Sequence, residues 1–381
     1  MPLFDRWVIT SALRVLARGD LARYYSPGVS EVEAFEQELA KAIGVRKTLG
    51  VNSGTSALIC ALVGLGIGPG DEVLVPAYTW VATAAAPLAV GAVPVLTEID
   101  WSLTIDPNDI KKKISPHTKA ILVVHMLNVV CDMDAIMAIA KEHNLLVIED
   151  ACQAIGVTYK GRRVGSIGDV GAFSFQLNKN IQCGEGGAVL ANSERVYTRA
   201  LMYHDVGAWI REGRADTSEP PFLGQNYRMP NLSAAILRPQ LRQLDAKLAE
   251  RRRRRKYWLE KLASTSGKFN FKVSPHNDEP SAVGLTVHFD DPEEAKAFGA
   301  QRGIARLIDT DKHVYTNWAS ILGGVTMHPK MDPYAWATRD VRIRKDSCPK
   351  TLEILARTCS IGFFPEIPMS AYKAIVGKTS R

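Results

Sequence analysis

Between residues 73 and 149, short apolar runs alternate with helical patterns, and this alternation constrains the fold more than any other feature. Residues 73–75, 92–96, 120–125 and 145–149 read as strands, and 79–90, 107–114 and 133–143 as helices. Apolar strands alternating with helices predict a mostly parallel sheet with helices on both faces, an α/β fold. Upstream, 8–16 reads as a short helix in an N-terminal arm. Ser30 before Glu31-Val32-Glu33 reads as a capping-box start for a helix to about residue 43. Ser53-Gly54-Thr55-Ser56 opens a further helix, 57–65, which stops at Gly66-Ile67-Gly68-Pro69-Gly70.

Beyond Val164 the pattern changes to short strands around 171–175 and 187–190. A long helical stretch over 231–259 follows, with Leu237, Leu241, Leu244 and Leu248 at helical spacing. Pro239 inside it predicts a kink or split, and the arginine run 251–255 reads as a solvated helix face. After about residue 262 come a strand-like run at 283–289, a helix over 292–302 and a loop-rich segment to 348. The expected organisation is an arm (1–30), a large domain (31–250) and a smaller C-terminal α+β domain (251–381).

The net charge of +7 and pI near 9.0 raise the question of an anionic partner. Five of the basic residues form one run, and no stacking-aromatic or helix-turn-helix signature accompanies them, so no nucleic-acid partner is expected. The six cysteines are scattered, with no C-x-x-C pair and no Cys/His cluster at zinc spacing. That usage fits a reducing cytosol without a disulfide framework or a metal. No apolar run approaches about 18 residues, so no membrane span is expected and the protein reads as soluble and cytoplasmic.

Three features carry chemistry. Leu145-Leu146-Val147-Ile148-Glu149-Asp150 reads as a buried strand that delivers a carboxylate at its end, where ligands bind in open α/β sheets. Ser53-Gly54-Thr55-Ser56 places small residues at a helix N-terminus, whose free N–H groups suit a phosphate. Lys179 lies between the apolar Gly171-Ala172-Phe173-Ser174-Phe175 and the turn Gly184-Glu185-Gly186-Gly187. An amine, a strand-end aspartate and a phosphate loop are the parts that hold pyridoxal 5'-phosphate (PLP), which needs a lysine for its Schiff base and an acid for its pyridine nitrogen. On this reading Lys179 and Asp150 are catalytic, Gln153 donates to the cofactor's phenolic oxygen, and Trp80 stacks on its ring or packs in the core.

Asn52-Ser53-Gly54-Thr55-Ser56-Ala57, Gly70-Asp71-Glu72-Val73 with Pro76-Ala77-Tyr78-Thr79-Trp80, Glu149-Asp150-Ala151-Cys152-Gln153-Ala154, and the block from Phe173 to Gly187 occur in that order. Together they resemble the DegT/DnrJ/StrS sugar aminotransferases. The likeness runs from about Ser26 to Leu248 and includes Gly224-Gln225-Asn226-Tyr227-Arg228-Met229. It implies the PLP-dependent transferase fold of type I, of the aspartate aminotransferase superfamily. It implies PLP bound covalently on Lys179, alternating with pyridoxamine phosphate. The cofactor-binding residues it implies are Gly54, Thr55, Ser56, Trp80, Asp150, Gln153, Ser174, Lys179 and Asn226. Asn226 would act from the partner subunit of a homodimer, and Arg228 is a candidate for a substrate carboxylate.

The implied reaction moves an amino group from glutamate or glutamine to a ketosugar or ketocyclitol, in the biosynthesis of amino sugars or aminocyclitols for cell-surface glycans or antibiotics. A branch of the family has histidine in place of the lysine and dehydrates sugars; Lys179 favours transamination. A PLP-dependent sugar dehydratase, an oxidative deaminase and a non-catalytic PLP sensor are the alternatives. The chain departs from the common pattern at Met126-Leu127-Asn128-Val129-Val130-Cys131, at Met202-Tyr203-His204-Asp205-Val206-Gly207, and in His313-Val314-Tyr315-Thr316-Asn317-Trp318, a variant of the substrate-facing loop.

Overall fold

The computed structural model describes residues 4–24, 28–207, 219–263, 276–301, 303–362 and 370. The strands are β1 (Lys47–Val51), β2 (Glu72–Pro76), β3 (Val93–Thr97), β4 (Thr118–Val124), β5 (Leu146–Asp150), β6 (Thr158–Tyr159), β7 (Arg162–Arg163), β8 (Val170–Ser174), β9 (Gly187–Ala191), β10 (Gly284–His288), β11 (Ile304–Arg306) and β12 (Thr358–Gly362). The helices are α1 (Arg6–Arg18), α2 (Glu31–Ile43), α3 (Gly54–Leu65), α4 (Ala82–Ala89), α5 (Pro107–Lys113), α6 (Met133–Glu142), α7 (Glu194–His204), α8 (Asn231–Arg242), α9 (Leu244–Ala263), α10 (Pro292–Gly299), α11 (Ala319–Leu322) and α12 (Pro349–Ala356).

Seven strands form the large sheet in the order β1-β9-β8-β5-β4-β2-β3. β9 runs against both its neighbours, and the other pairs are parallel. Alternate side chains enter opposite faces, as a strand's two-residue period requires. Val73, Val75, Leu122 and Val124 join one apolar cluster, whereas Leu74, Ile121 and Val123 join the other. The mostly parallel sheet between helical layers is the one expected. Ser30 and Glu33 make the capping box at the start of α2.

The expected helix over 231–259 is two helices, α8 and α9, broken at Gln243 with Pro239 inside α8. Arg302, at the end of the helix expected over 292–302, lies outside the described residues; α10 ends at Gly299. The arginine run is not a uniformly solvated face. Arg254 and Arg255 are each only 5% exposed, while the Arg253 side chain is 75% exposed.

β10, β12 and β11 form a separate antiparallel sheet around Leu285, Val287, Phe298 and Ile361. The loop-rich segment between β11 and β12 packs against the large sheet, where Leu307, Tyr315, Trp318, Cys348 and Leu355 share a cluster with Tyr78 and Leu96. Arg339 pins that segment by donating to Glu72, at the start of β2, at 2.9 and 2.6 Å. Burial alone would raise the Glu72 carboxyl, but Arg339 and the Ser115 hydroxyl outweigh it and hold the group below its ordinary range. A depressed carboxyl stabilises the fold above its unfolded-state pKa, and that stability is lost as pH falls through the lower folded value. Arg339→Met is expected to cost about 1–3 kcal/mol at neutral pH. Its deficit against the parent should shrink in acid, below the ordinary glutamate pKa, when denaturant unfolding of the two proteins is compared across pH.

Candidate active site

The parallel strands β1, β2, β4, β5 and β8 end along one edge of the large sheet, and every candidate residue except Asn226 follows one of these ends. β5 delivers Asp150, 5% exposed. The Thr83 hydroxyl donates to its Oδ2 at 2.8 Å and the Cys152 N–H to its Oδ1 at 3.1 Å. The residues that follow form turns, so Asp150 is not a helix cap. Thr79 shares a 2.7 Å hydroxyl bond with Thr83, one helical turn on. Neither threonine was singled out from the sequence; their spacing of four residues at a helix start was the available signal. Burial, and then the Asp150 carboxylate, push the Cys152 thiol well up, while Lys179 acts in the opposite sense. Lys179 and Asp150 therefore act on one thiol.

Behind Asp150, Glu149 is fully buried and accepts from the N–H groups of Gly165, Ile167 and Gly168 at 2.7, 2.6 and 2.6 Å. His125 Nε2 donates to it at 3.0 Å, and His125 Nδ1 accepts from the Cys131 N–H at 3.3 Å. These bonds set the end of β5 rigidly, as a site group requires.

Gln153 accepts at Oε1 from the Leu127 N–H at 3.0 Å. Only a carbonyl oxygen can accept there, so the amide orientation is fixed and its Nε2 is left as a donor. Leu127 and Asn128 both have left-handed backbones (φ 53° and 62°), a strained pair. The turn is clasped by Asn277, which donates to the Asn128 carbonyl at 2.7 Å and accepts from the Val130 N–H at 2.8 Å, and by Ser281, which donates to the Leu127 carbonyl at 2.8 Å.

After β1, Ser53 caps α3 by accepting from the Ser56 N–H at 3.0 Å. Ser56 is buried and its hydroxyl donates to Asn52 Oδ1 at 2.6 Å, so its N–H and O–H are both engaged within the cap. The Gly54 and Thr55 N–H groups donate to no described residue, as the first donors of a helix do. Ser174, at the end of β8, lies against Gly54: a Cβ on Gly54 would sit 2.7 Å from Ser174 Cβ and 3.1 Å from its Oγ. A Cβ on Gly187 would come within 2.2 Å of the Ser53 carbonyl oxygen and 2.8 Å of the Gly54 nitrogen. Gly187→Ala therefore pushes the α3 entry off the sheet. Retention of a bound phosphate group is expected to weaken roughly 10- to 100-fold, the worth of one charge-assisted hydrogen bond. Equilibrium dialysis with PLP measures this.

Lys179 is half-buried in the loop between β8 and β9. The loop is laced by Phe175 N–H to the Gly186 carbonyl at 2.8 Å, Leu177 N–H to the Gly184 carbonyl at 3.1 Å and Lys179 N–H to the Gln176 carbonyl at 2.9 Å. Burial, and then Lys179 nearby, lower His313 below its ordinary value. Trp80 is 44% exposed and not in the core. Its ring lies 5.3 Å from that of His313, and Lys312 Nζ sits 5.7 Å from its centroid. His313, Tyr78, Leu127, Thr310, Ile304 and Ser360 line a cavity of about 390 Å³.

Asn226 stands apart. It is exposed, bridges Asp205 in antiparallel fashion, and accepts from the Arg228 N–H at 3.4 Å. It bonds none of the residues above. Arg228 is ion-paired with the buried Asp205, so its guanidinium is already engaged by a carboxylate of its own chain. Among the described residues, no group of three or more His, Cys, Asp or Glu could hold a metal, and no helix is long and apolar enough to cross a membrane.

The family model of the DegT/DnrJ/EryC1/StrS aminotransferase family matches residues 23–379. The chain is 43% identical over 249 residues to GDP-perosamine synthase of Caulobacter vibrioides, covering 64% of each chain. It is 41% identical over 234 residues to L-glutamine:2-deoxy-scyllo-inosose aminotransferase of Streptoalloteichus tenebrarius, covering 59% of this chain and 55% of that one. The match thus spans less than two thirds of either relative. Among solved structures, DesV of S. venezuelae in complex with a ketimine intermediate superposes with a TM-score of 0.76 and 31% identity, over 98% of this chain and 94% of that one.

Proposed function

The chain belongs to the DegT/DnrJ/EryC1/StrS aminotransferase family, whose members are PLP-dependent, and on that premise we propose that it moves an amino group from glutamate or glutamine to a ketosugar or ketocyclitol. One observation carries the reading. The Lys179 loop, the buried carboxylate of Asp150 and the unengaged Gly54 and Thr55 N–H groups beside Ser174 converge at one sheet edge.

These residues fit PLP. When bound, PLP supplies an aldehyde that condenses with amines and a pyridinium ring that draws electrons from the substrate carbon. The Lys179 amine would anchor it and would move a proton at that carbon as base and then acid. Asp150 accepts from the ring N–H, and Thr83 and the Cys152 N–H keep its carboxylate in place. Gln153 Nε2 donates to the phenolic oxygen. The Gly54 and Thr55 N–H groups and the Ser174 hydroxyl hold the phosphate at the positive end of α3. Ser56 serves by completing the cap rather than by touching the anion. Trp80, exposed beside His313, would lie against the bound cofactor.

We also propose a homodimer in which Asn226 completes the partner's phosphate site. Its exposure supports this, as do the exposed apolar side chains Trp7, Leu13, Leu177 and Leu223. The acceptor class rests on the relatives, one named for a GDP-linked product and one for a cyclitol ketone. The test is a donor half-reaction. The purified, PLP-loaded protein is mixed with glutamine or glutamate, and both cofactor absorbance and keto-acid release are followed. Release of stoichiometric keto acid, with nitrogen then transferred to an added ketone, supports transamination. Ammonia release without a ketone points to the deaminase reading, and no response to either donor points to the sensor reading.

A further inference from the structure

The loop that carries Lys179 is held from beneath by side chains of α8 and α9, and this arrangement is not part of the cofactor contacts described above. Two buried residues of the loop, Asn180 and Gln182, are the points of attachment. Asn180, 7% exposed, donates from Nδ2 to the Ile155 carbonyl at 3.1 Å and to Asn128 Oδ1 at 3.4 Å. Its Oδ1 accepts from Arg251 at 2.6 Å. Gln182, 5% exposed, is gripped through its backbone: its N–H donates to Gln240 Oε1 at 3.2 Å, and its carbonyl accepts from Gln240 Nε2 at 2.7 Å. Lys247 in turn donates to Gln240 Oε1 at 3.3 Å. Between the two amides, Ile181 is fully buried.

Lys247 and Arg251, four residues apart, lie on one face of α9, and the bond from Lys247 ties Gln240 of α8 to that face. The geometry points to Asn180 and Arg251 as a positioning pair for Lys179, fixing the peptide that carries the reactive amine against α9. This rests on the PLP reading of Lys179. Asn180 acts through the adjoining peptide, and Arg251 acts through Asn180. Arg251 thus has a directed task within a run that reads as surface charge. The cost of losing the anchor is a Lys179 amine held loosely. A displacement of about 1 Å in reacting geometry can cost on the order of 10²-fold in rate.

The experiment compares PLP-loaded wild type with Asn180→Ala, Asn180→Asp, Arg251→Met and Arg251→Lys. Three quantities are read: the pH titration of the lysine-linked chromophore, the donor half-reaction rate against donor concentration, and the thermal midpoint. Asn180→Ala and Arg251→Met are expected to move the chromophore's titration midpoint. They should lower the limiting half-reaction rate by about 10- to 100-fold with half-saturating donor concentration unchanged. Arg251→Lys retains the charge-assisted contact and should recover part of both, whereas Asn180→Asp keeps that contact but sets a carboxylate oxygen against the Ile155 carbonyl and should recover less. Variants that lose only thermal stability, with the titration midpoint and limiting rate of the folded fraction unchanged, would overturn the assignment. If Asn180→Ala does not fold, the Arg251 pair decides the question. A wild type without a chromophore would instead refute the PLP reading itself.

Discussion

Lys179→Ala is expected to leave a folded protein that takes up PLP weakly and turns over no substrate. Lys179 lies half-buried on a loop anchored by other side chains, so its removal leaves the lacing of that loop in place. Two functions are lost together: the covalent anchor, and the group that moves the proton at the substrate carbon. General acid–base catalysis alone is worth up to about 10⁴-fold. The combined loss should therefore put the rate below detection by keto-acid release. Circular dichroism and a thermal midpoint close to the parent's would show that the loss is chemical. Turnover at the parent's rate would remove Lys179 from the reaction.

The second large effect is at Asp150. Asn keeps the size and shape of the side chain, and its carbonyl can still accept from the Cys152 N–H. Thr83, which now donates to Oδ2, can rotate to accept from the new amide. The fold should tolerate the change. What disappears is a buried negative charge at the point where the ring nitrogen must hold a proton. Fixed charge aimed at developing charge in a water-poor site is worth about 10²–10³-fold when one contributor is removed. Asp150→Asn should lose activity on that scale, with a thermal midpoint near the parent's. A variant with full activity would make Asp150 a structural residue.

The large sheet was legible because its strands are apolar on both faces, so each one interrupts the helical pattern sharply. β1 was not, since Lys47 and Thr48 are polar and leave only Leu49-Gly50-Val51 as an apolar stretch, at the edge of the sheet. It is completed from outside, with Arg23 donating to the Gly50 carbonyl and the Gly50 N–H donating to Glu36. The positions of Asp150 at a strand end and Gly54 at a helix start were legible because local sequence marks such ends. Thr83 was not, because its contact with Asp150 spans 67 residues and depends on α4 folding back across the sheet edge. Burial of Arg254 and Arg255 was hidden for a similar reason: five consecutive arginines cover every side of a helix, so some must face inward once α9 is packed.

The central claim is tested most directly by reducing the PLP-loaded protein with borohydride, digesting it and locating the label by mass spectrometry. Attachment at Lys179 alone, at one label per chain, is the predicted result. Label on another lysine, or none at all, would contradict the account at its centre.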